Sequence, residues 1–492
     1  MTSPSKKDDT AVVVVVSVPE DATAGHETNN PYPSHTISTT STPFASTAKL
    51  PLAAPSCPDG GVVAWAQVLA SFLMNAVGWG YPATFGMYQL HYVSNMGLPG
   101  SQIAWVGSVQ TFLAYALCVV AGRLADAGYI RSTVSVGSVF VVVGTLATSW
   151  AAEYWQILLA QGLCTGLGLG LITTPTLTVV NSYFDSNRSN GSEHDIKNKA
   201  NQILIDSVAV ASATAGTGVG SIVFPAVVQL LIPQVGFAWA VRCSALVTLV
   251  FCSVGVVLLK PREQPQADHG ADAATDEKSS LGLIDMGALR ERAFLCLAAS
   301  SFLFFIALYF GFFYLTVIAQ QVAHMSPTTC VTLLMINSAV GIPIRPLSGM
   351  IADRFPRVLG PVKMFAITVL LVGAAMLAWI AARSSADMYI FAVGFGIVNG
   401  ASQSIWPGAL ISITPDPKRL GVRYGMLCVF VAVATLVGPP IAAMIVDAAA
   451  RGGGNGFMAA QAWAGALALV SGVLAFGARP SPLSKSEIDE KV

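Results

Sequence analysis

Twelve long, predominantly apolar stretches recur along this chain, near 62–88, 102–122, 132–151, 155–180, 203–230, 237–259, 293–318, 328–350, 361–382, 387–413, 424–446 and 457–477. A hydrocarbon core about 30 Å thick takes roughly 20 residues of α-helix, so each stretch can cross a bilayer. Backbone groups in lipid need internal hydrogen bonds and the stretches are too long for barrel strands, so helices must carry them. A chain of 492 residues would otherwise suggest two or three soluble domains; 54% hydrophobic residues with 11% charged ones exclude that. The expected fold is an all-α membrane protein of twelve transmembrane helices.

The segments outside these stretches set the organisation. Residues 1–56 are rich in Ser, Thr and Pro, as in "STTSTPFAST", hold no long apolar period and read as a disordered tail. The run "VVVVVSV" is too short to span. Between the sixth and seventh stretches, "KPREQPQADHGADAATDEKSS" is polar and charged. The expected order is therefore a tail (1–56), a six-helix half (57–259), a linker (260–292), a second six-helix half (293–479) and a tail (480–492). Of the 26 Lys and Arg residues, 22 fall on the N-tail, the even-numbered hairpin loops, the linker and the C-tail. By the positive-inside rule both termini and the linker face the cytoplasm. The sequons at Asn187 and Asn190 then lie on the cytoplasmic side, out of reach of glycosylation. The expected location is the plasma membrane, with an organellar membrane as the alternative.

Several functions are excluded at this level. Net charge is zero, so no basic field points to nucleic acid. The eight cysteines show no CxxC, so neither a disulfide framework nor a zinc site is expected. All six histidines fall outside the twelve stretches, which leaves an enzyme without the usual metal ligands in the membrane, and no G-x-x-x-x-G-K-[ST] loop exists to drive an ATP-powered pump. No cofactor or metal is expected. A carrier remains, with a channel or a transporter-like receptor as the alternatives.

The text also repeats. "GRLADAG" follows the second stretch and "GMIADRF" the eighth. Gly-rich faces leading to Pro175 and Pro407 mark the fourth and tenth, and small residues leading to Pro225 and Pro439 mark the fifth and eleventh. Duplicated halves with Gly- and Pro-interrupted helices at matching positions are the pattern of a secondary transporter that rocks one half against the other. The G-x-x-x-D phrase in both loops resembles the loop signature of the major facilitator superfamily. That resemblance implies two pseudo-symmetric six-helix halves, and a conformational role for Gly122 with Asp126 and Gly349 with Asp353. Arg131 and Arg354 are the candidate partners of the two acids. The first copy departs in carrying Ala127 where a basic residue is usual.

A narrower resemblance follows. "PDGGVVAW" at 58–65 is similar to the opening signature of the monocarboxylate porter family, "WGYPATFGMYQLHY" looks like its fungal branch, and "RPLSG" resembles its arginine motif in the eighth helix. The resemblance implies a small, anionic organic-acid substrate whose carboxylate meets Arg345. An arginine at membrane depth is unfavourable by about 2.5–3.5 kcal/mol on insertion scales, so it faces a cavity or a partner, or its head reaches the cytoplasmic surface. Its fork matches a carboxylate. Two departures bear on proton coupling, because Gly341 and Ala83 stand where many animal members carry Asp and Lys. Asp206 is then the proton-carrier candidate, its alternative being a solvated helix-terminus acid. Asn75 and Asn337 are the other candidate substrate contacts, with interhelical hydrogen bonding the competing role. The reading is a monomeric, multi-pass secondary transporter of a small organic acid working by alternating access. The alternatives are an efflux carrier for a larger secondary metabolite and an uptake carrier for a vitamin.

Overall fold

The computed structural model describes residues 61–97, 99–184, 196–260, 285–354, 359–414, 419–451 and 456–478. Both expected tails and most of the expected linker lie outside these ranges, as do the two sequons. The described residues are helical almost throughout, and among them no β-strand occurs.

In chain order the helices are α1 (Val62–Gly80), α2 (Phe85–Met96), α3 (Gly100–Asp126), α4 (Ile130–Thr148), α5 (Tyr154–Ile157) and α6 (Thr165–Phe184). They continue as α7 (Ile196–Leu258), α8 (Arg292–Gln321), α9 (Pro327–Arg354), α10 (Pro361–Ala378), α11 (Ser385–Ile413), α12 (Leu420–Arg451) and α13 (Gly456–Gly477). A 3₁₀ turn at Pro82–Thr84 joins α1 to α2, and a π-helical turn at Leu158–Cys164 joins α5 to α6, so each pair makes one crossing. His91 lies on α2 and is half-buried, which corrects the expectation that every histidine sits outside the spans. The apolar stretch ends near residue 88, but the helix carries on for two more turns, and His91 there stacks flat on Phe237 at 3.7 Å.

α7 holds two crossings. An unbroken helix of 63 residues would run about 95 Å, far more than a bilayer's thickness. Gly236 breaks it with φ 80° and ψ 168°, a conformation open essentially to glycine alone. The first segment packs on α1 with Gly216 facing Phe72 and Gly220 facing Ala76. The second runs back, since Gly255 faces Met74 and the Leu258 carbonyl accepts from Gln67 Nε2 at 3.0 Å. Eleven helical spans among the described residues are long and apolar enough to cross a membrane, and dividing Ser212–Leu258 at Gly236 makes twelve crossings. Pro175, Pro225, Pro407 and Pro439 all lie inside continuous helices rather than at breaks. These prolines therefore do not interrupt the spans as the repeat suggested.

Close approach is achieved by small residues, as expected where lipid gives apolar side chains no incentive to leave it. A Cβ on Gly216 would lie 2.0 Å from the Phe72 carbonyl oxygen, and one on Gly220 2.0 Å from that of Ala76. In the later part of the chain a Cβ on Gly396 would meet the Asn337 carbonyl oxygen at 2.4 Å.

Helices α1 to α7 and helices α8 to α13 each pack mainly among themselves, and the main helix pairings across the seam are α3 with α12, α7 with α9, and α2 with α8. The start of α1 and the end of α13 lie on one face of the bundle, called here the terminus face. On the opposite face the seam is pinned by Phe85 against Phe313, with ring centroids 4.8 Å apart, and by Gln229 Nε2 donating to the Thr328 carbonyl at 2.6 Å. Toward the terminus face, a Cβ on Gly425 of α12 would stand 3.2 Å from Val119 of α3.

Candidate functional site

Between these pins lies a cavity of about 170 Å³, lined from both sides of the seam. Its lining includes Arg345, Asn75 and Asn337, together with Ala83 and Gly341. Helical spacing brings them there: Asn337, Gly341 and Arg345 are i, i+4 and i+8 on α9 and share one face.

Arg345 is partly buried, while Pro346, Leu347 and Met350 turn to the outer surface of α9. Among the described residues no carboxylate pairs with it, since the described ion pairs belong to Arg419 and Arg423. Asn75 donates through Nδ2 to the Ser71 carbonyl at 2.8 Å and to Ser71 Oγ at 3.2 Å, both on its own helix. Asn337 is 2% exposed, and its Oδ1 has no hydrogen-bond partner among the described residues. Beside it on α11, Gln403 Nε2 donates to Asn399 Oδ1 at 2.6 Å, and both side chains line the cavity.

Eight aromatic rings complete the wall. They form a continuous belt from one side of the seam to the other. Trp79 meets Tyr115 at 4.6 Å, Tyr115 meets Phe305 edge-on at 5.5 Å, Phe305 meets Trp406 at 5.1 Å and Trp406 meets Tyr424 at 5.7 Å. Tyr115 also meets Tyr309 edge-on at 6.4 Å across the seam, and Trp406 Nε1 donates to Ser301 Oγ at 2.8 Å, which fixes that indole in place. Such a belt presents flat apolar surface with few rotamers to freeze. The sequence reading missed it. The signal was the aromatic run "FLFFIALYFGFFY" on α8, whose inward face only helix packing reveals.

The loop residues lie apart from the cavity. Gly122 and Gly349 sit near the terminus-face ends of α3 and α9, and Arg131 and Arg354 are exposed. The side chains of Asp126, Asp206 and Asp353 fall outside the described residues. Arg242 lies over Trp239 and Trp150 at 4.7 and 5.1 Å and donates through Nε to Ser149 Oγ, an anchoring arrangement away from the cavity.

A second polar cluster, also unread in the sequence, stands at the start of α12. Arg423, whose side chain is 3% exposed, grips both Glu291 oxygens and reaches Asp285 Oδ2 at 3.1 Å. Asp285 Oδ1 in turn accepts from the Gly287 and Ala288 amides, so the segment leading into α8 is clipped to α12. Burial alone would raise the Asp285 carboxyl; the Ala288 N–H and the hydrogen-bonded Arg423 charge outweigh it and hold the group below the usual carboxylate range.

Twelve membrane crossings around a central cavity, duplicated motifs and two groups of helices meeting at a narrow seam define a secondary transporter. Comparison with known proteins places it further. The Major Facilitator Superfamily model matches residues 65–415, and the chain belongs to that family. It is 28% identical to the Aspyridones efflux protein apdF of Emericella nidulans over 86% of this chain and 79% of that protein. Likewise it is 27% identical to the Fujikurins efflux protein of Gibberella fujikuroi over 86% and 83%, and 30% identical to the MFS-type transporter opdF of Penicillium oxalicum over 83% and 88%. Among solved structures, a POT family transporter in complex with 5-aminolevulinic acid aligns with TM-score 0.65 at 13% identity, covering 85% of this chain and 97% of that one. The nucleoside transporter NupG, in a mutant form, aligns with TM-score 0.63 over 85% and 98% at 13% identity. These two likenesses concern the fold.

Proposed function

We propose that this chain exports an acidic secondary metabolite with a largely aromatic or apolar body, by alternating access across the plasma membrane, with both termini in the cytoplasm. The observation that carries the reading is Arg345 in a cavity walled by eight aromatic rings, with no carboxylate among the described residues pairing with it. An unpaired guanidinium at membrane depth is costly, and a bound anion relieves that cost. The aromatic belt supplies stacking area for the body of the molecule. The names of the efflux relatives support the direction of transport and the substrate class.

Asn75 and Asn337 are the accompanying polar contacts in this reading. Asp126 and Asp353, with Gly122, Gly349, Arg131 and Arg354, control opening on the terminus face, and Asp206 carries the coupled proton. A second reading, a small organic acid of the monocarboxylate kind, is favoured by the cavity's volume of about 170 Å³. Drug-sized ligands occupy sites of roughly 300–1,000 Å³, so the larger substrate requires the seam to loosen on loading. Metabolite profiling of cells with and without the gene, medium and cytosol separately, tests both readings. Export predicts that deletion moves an aromatic acid from medium to cytosol; a shift confined to small monocarboxylates favours the second reading, and no shift refutes both.

A further inference from the structure

On the cavity's α9 and α11 side the two helices touch backbone to backbone. A Cβ on Gly400 of α11 would stand 2.9 Å from the Gly341 Cα of α9, and one on Gly396 2.4 Å from the Asn337 carbonyl oxygen. Asn337 and Arg345 flank that contact on α9, while Asn399 and Gln403, at i+3 and i+7 from Gly396, share its face on α11. The α11 pair is satisfied internally, since Asn399 Oδ1 accepts from Gln403 Nε2 at 2.6 Å. Asn75, on the other side of the seam, donates to Ser71 of its own helix. Asn337 differs: it lines the cavity, is 2% exposed, and its Oδ1 has no hydrogen-bond partner among the described residues. A buried carbonyl left without a donor is unfavourable, and native structures rarely keep one. A leucine would fill this place without that cost, so the acceptor is explained by a donor that arrives with the ligand.

We propose that Asn337 is the specificity residue of this cavity and that the transported acid carries a hydroxyl on its aromatic body, which donates to Asn337 Oδ1 while the carboxylate meets Arg345. The proposal rests on the reading of Arg345 as the anion site and adds a second recognised group to it. Charge narrows the chemistry of that group. No Asp or Glu lines the cavity among the described residues and Arg345 repels cations, so an ammonium is disfavoured, and a second carboxylate would set acceptor against acceptor. A neutral hydroxyl meets both conditions. Spacing narrows its position. Eight residues of α9 rise about 12 Å, and helix side chains lean toward the N-terminus, which carries the Arg345 head toward Asn337. Hydroxyl and carboxylate therefore lie less than about 12 Å apart, which a para-hydroxyphenyl acid with a short side chain satisfies.

The test uses the purified full-length protein in nanodiscs, titrated calorimetrically with para-hydroxyphenylpropionic acid, para-fluorophenylpropionic acid and the methyl ester of the first. Fluorine replaces the hydroxyl at nearly the same size and cannot donate. Wild type should bind the hydroxy acid about fivefold more tightly than the fluoro acid, within the range that one net hydrogen bond supplies. In Asn337→Leu that ratio should fall to about one, because no buried acceptor remains to be satisfied. Should the leucine variant not fold, Asn337→Ala reads the same ratio: α11 touches Asn337 through its backbone carbonyl, so truncating the side chain leaves the helix contact in place. Equal binding of the hydroxy acid and its ester by wild type would fail the Arg345 reading, while the hydroxyl ratio, taken between two acids of equal charge, would still decide the role of Asn337. A wild-type ratio near one, as permanent hydration of Oδ1 would give, overturns the proposal. So does a ratio that persists in a folded variant, or no binding of the hydroxy acid at millimolar concentration.

Discussion

Gly220→Ala should destabilise the protein although alanine is the better helix former. The added methyl would lie 2.0 Å from the Ala76 carbonyl oxygen and 2.7 Å from its carbon, where ordinary contact begins at 3.4 Å. The obstructing atoms are backbone, so no rotamer change makes room and α1 must part from α7 by more than an ångström. Overpacking of this kind costs about 1–3 kcal/mol, against a propensity gain of roughly 1 kcal/mol on removing a glycine. Because the obstruction is rigid the upper half of that range applies, leaving a net loss of about 1–2 kcal/mol. Gly394→Ala on α11 is the control: nothing lies within 4 Å of its would-be Cβ, so only the gain remains. Thermal unfolding of both variants in one detergent, followed by fluorescence-detected size exclusion, should place Gly220→Ala below wild type and Gly394→Ala at or above it. Equal stability of Gly220→Ala and wild type would refute the claim that backbone contact at glycine sets the α1–α7 spacing.

Gly236→Ala should cost about 1–3 kcal/mol through its backbone conformation alone, since no neighbour lies within 4 Å of the new methyl; a melting temperature equal to wild type would contradict this. Arg423→Met should destabilise more than Glu291→Gln, because it takes from Asp285, 12% exposed, its 3.1 Å partner and leaves only the exposed Arg419 at 3.8 Å, where Glu291, 42% exposed, stays in water; parallel melts of the two variants check the order. Asp285 has a lowered folded-state pKa, so its contribution is present above the ordinary carboxylate value of about 3.9 and is lost as pH falls through and below it. Acid unfolding of wild type and Asp285→Asn should therefore converge at low pH, and a constant difference between them down to the lowest pH would count against that assignment.

The bilayer crossings could be read directly, because hydrophobic run length answers to membrane thickness. Arg345 stood out for the same reason: charge at membrane depth is rare and costly. The rest depends on which faces meet. The aromatic belt draws on α1, α3, α8, α11 and α12, and no spacing within one helix shows that their rings converge. Arg423 precedes an apolar run and reads as a loop charge, yet its side chain is 3% exposed because Glu291 and Asp285 fold back over it. The turn at Gly236 was legible as a gap between two stretches, but its single-residue sharpness comes from glycine's access to positive φ.

The central claim is that Arg345 binds an acid inside the aromatic cavity. It is tested most directly by the affinity of purified, equally folded wild type, Arg345→Lys and Arg345→Ala for the metabolite identified by profiling, with its neutral methyl ester as the comparison. Loss of a charge-assisted hydrogen bond to a desolvated anion weakens binding by about 1.5–3 kcal/mol, roughly ten- to a hundredfold. Lysine keeps the charge but not the fork, so Arg345→Lys should fall between wild type and Arg345→Ala for the acid, while the ester binds all three alike. Wild-type affinity for the acid in Arg345→Ala would contradict the account.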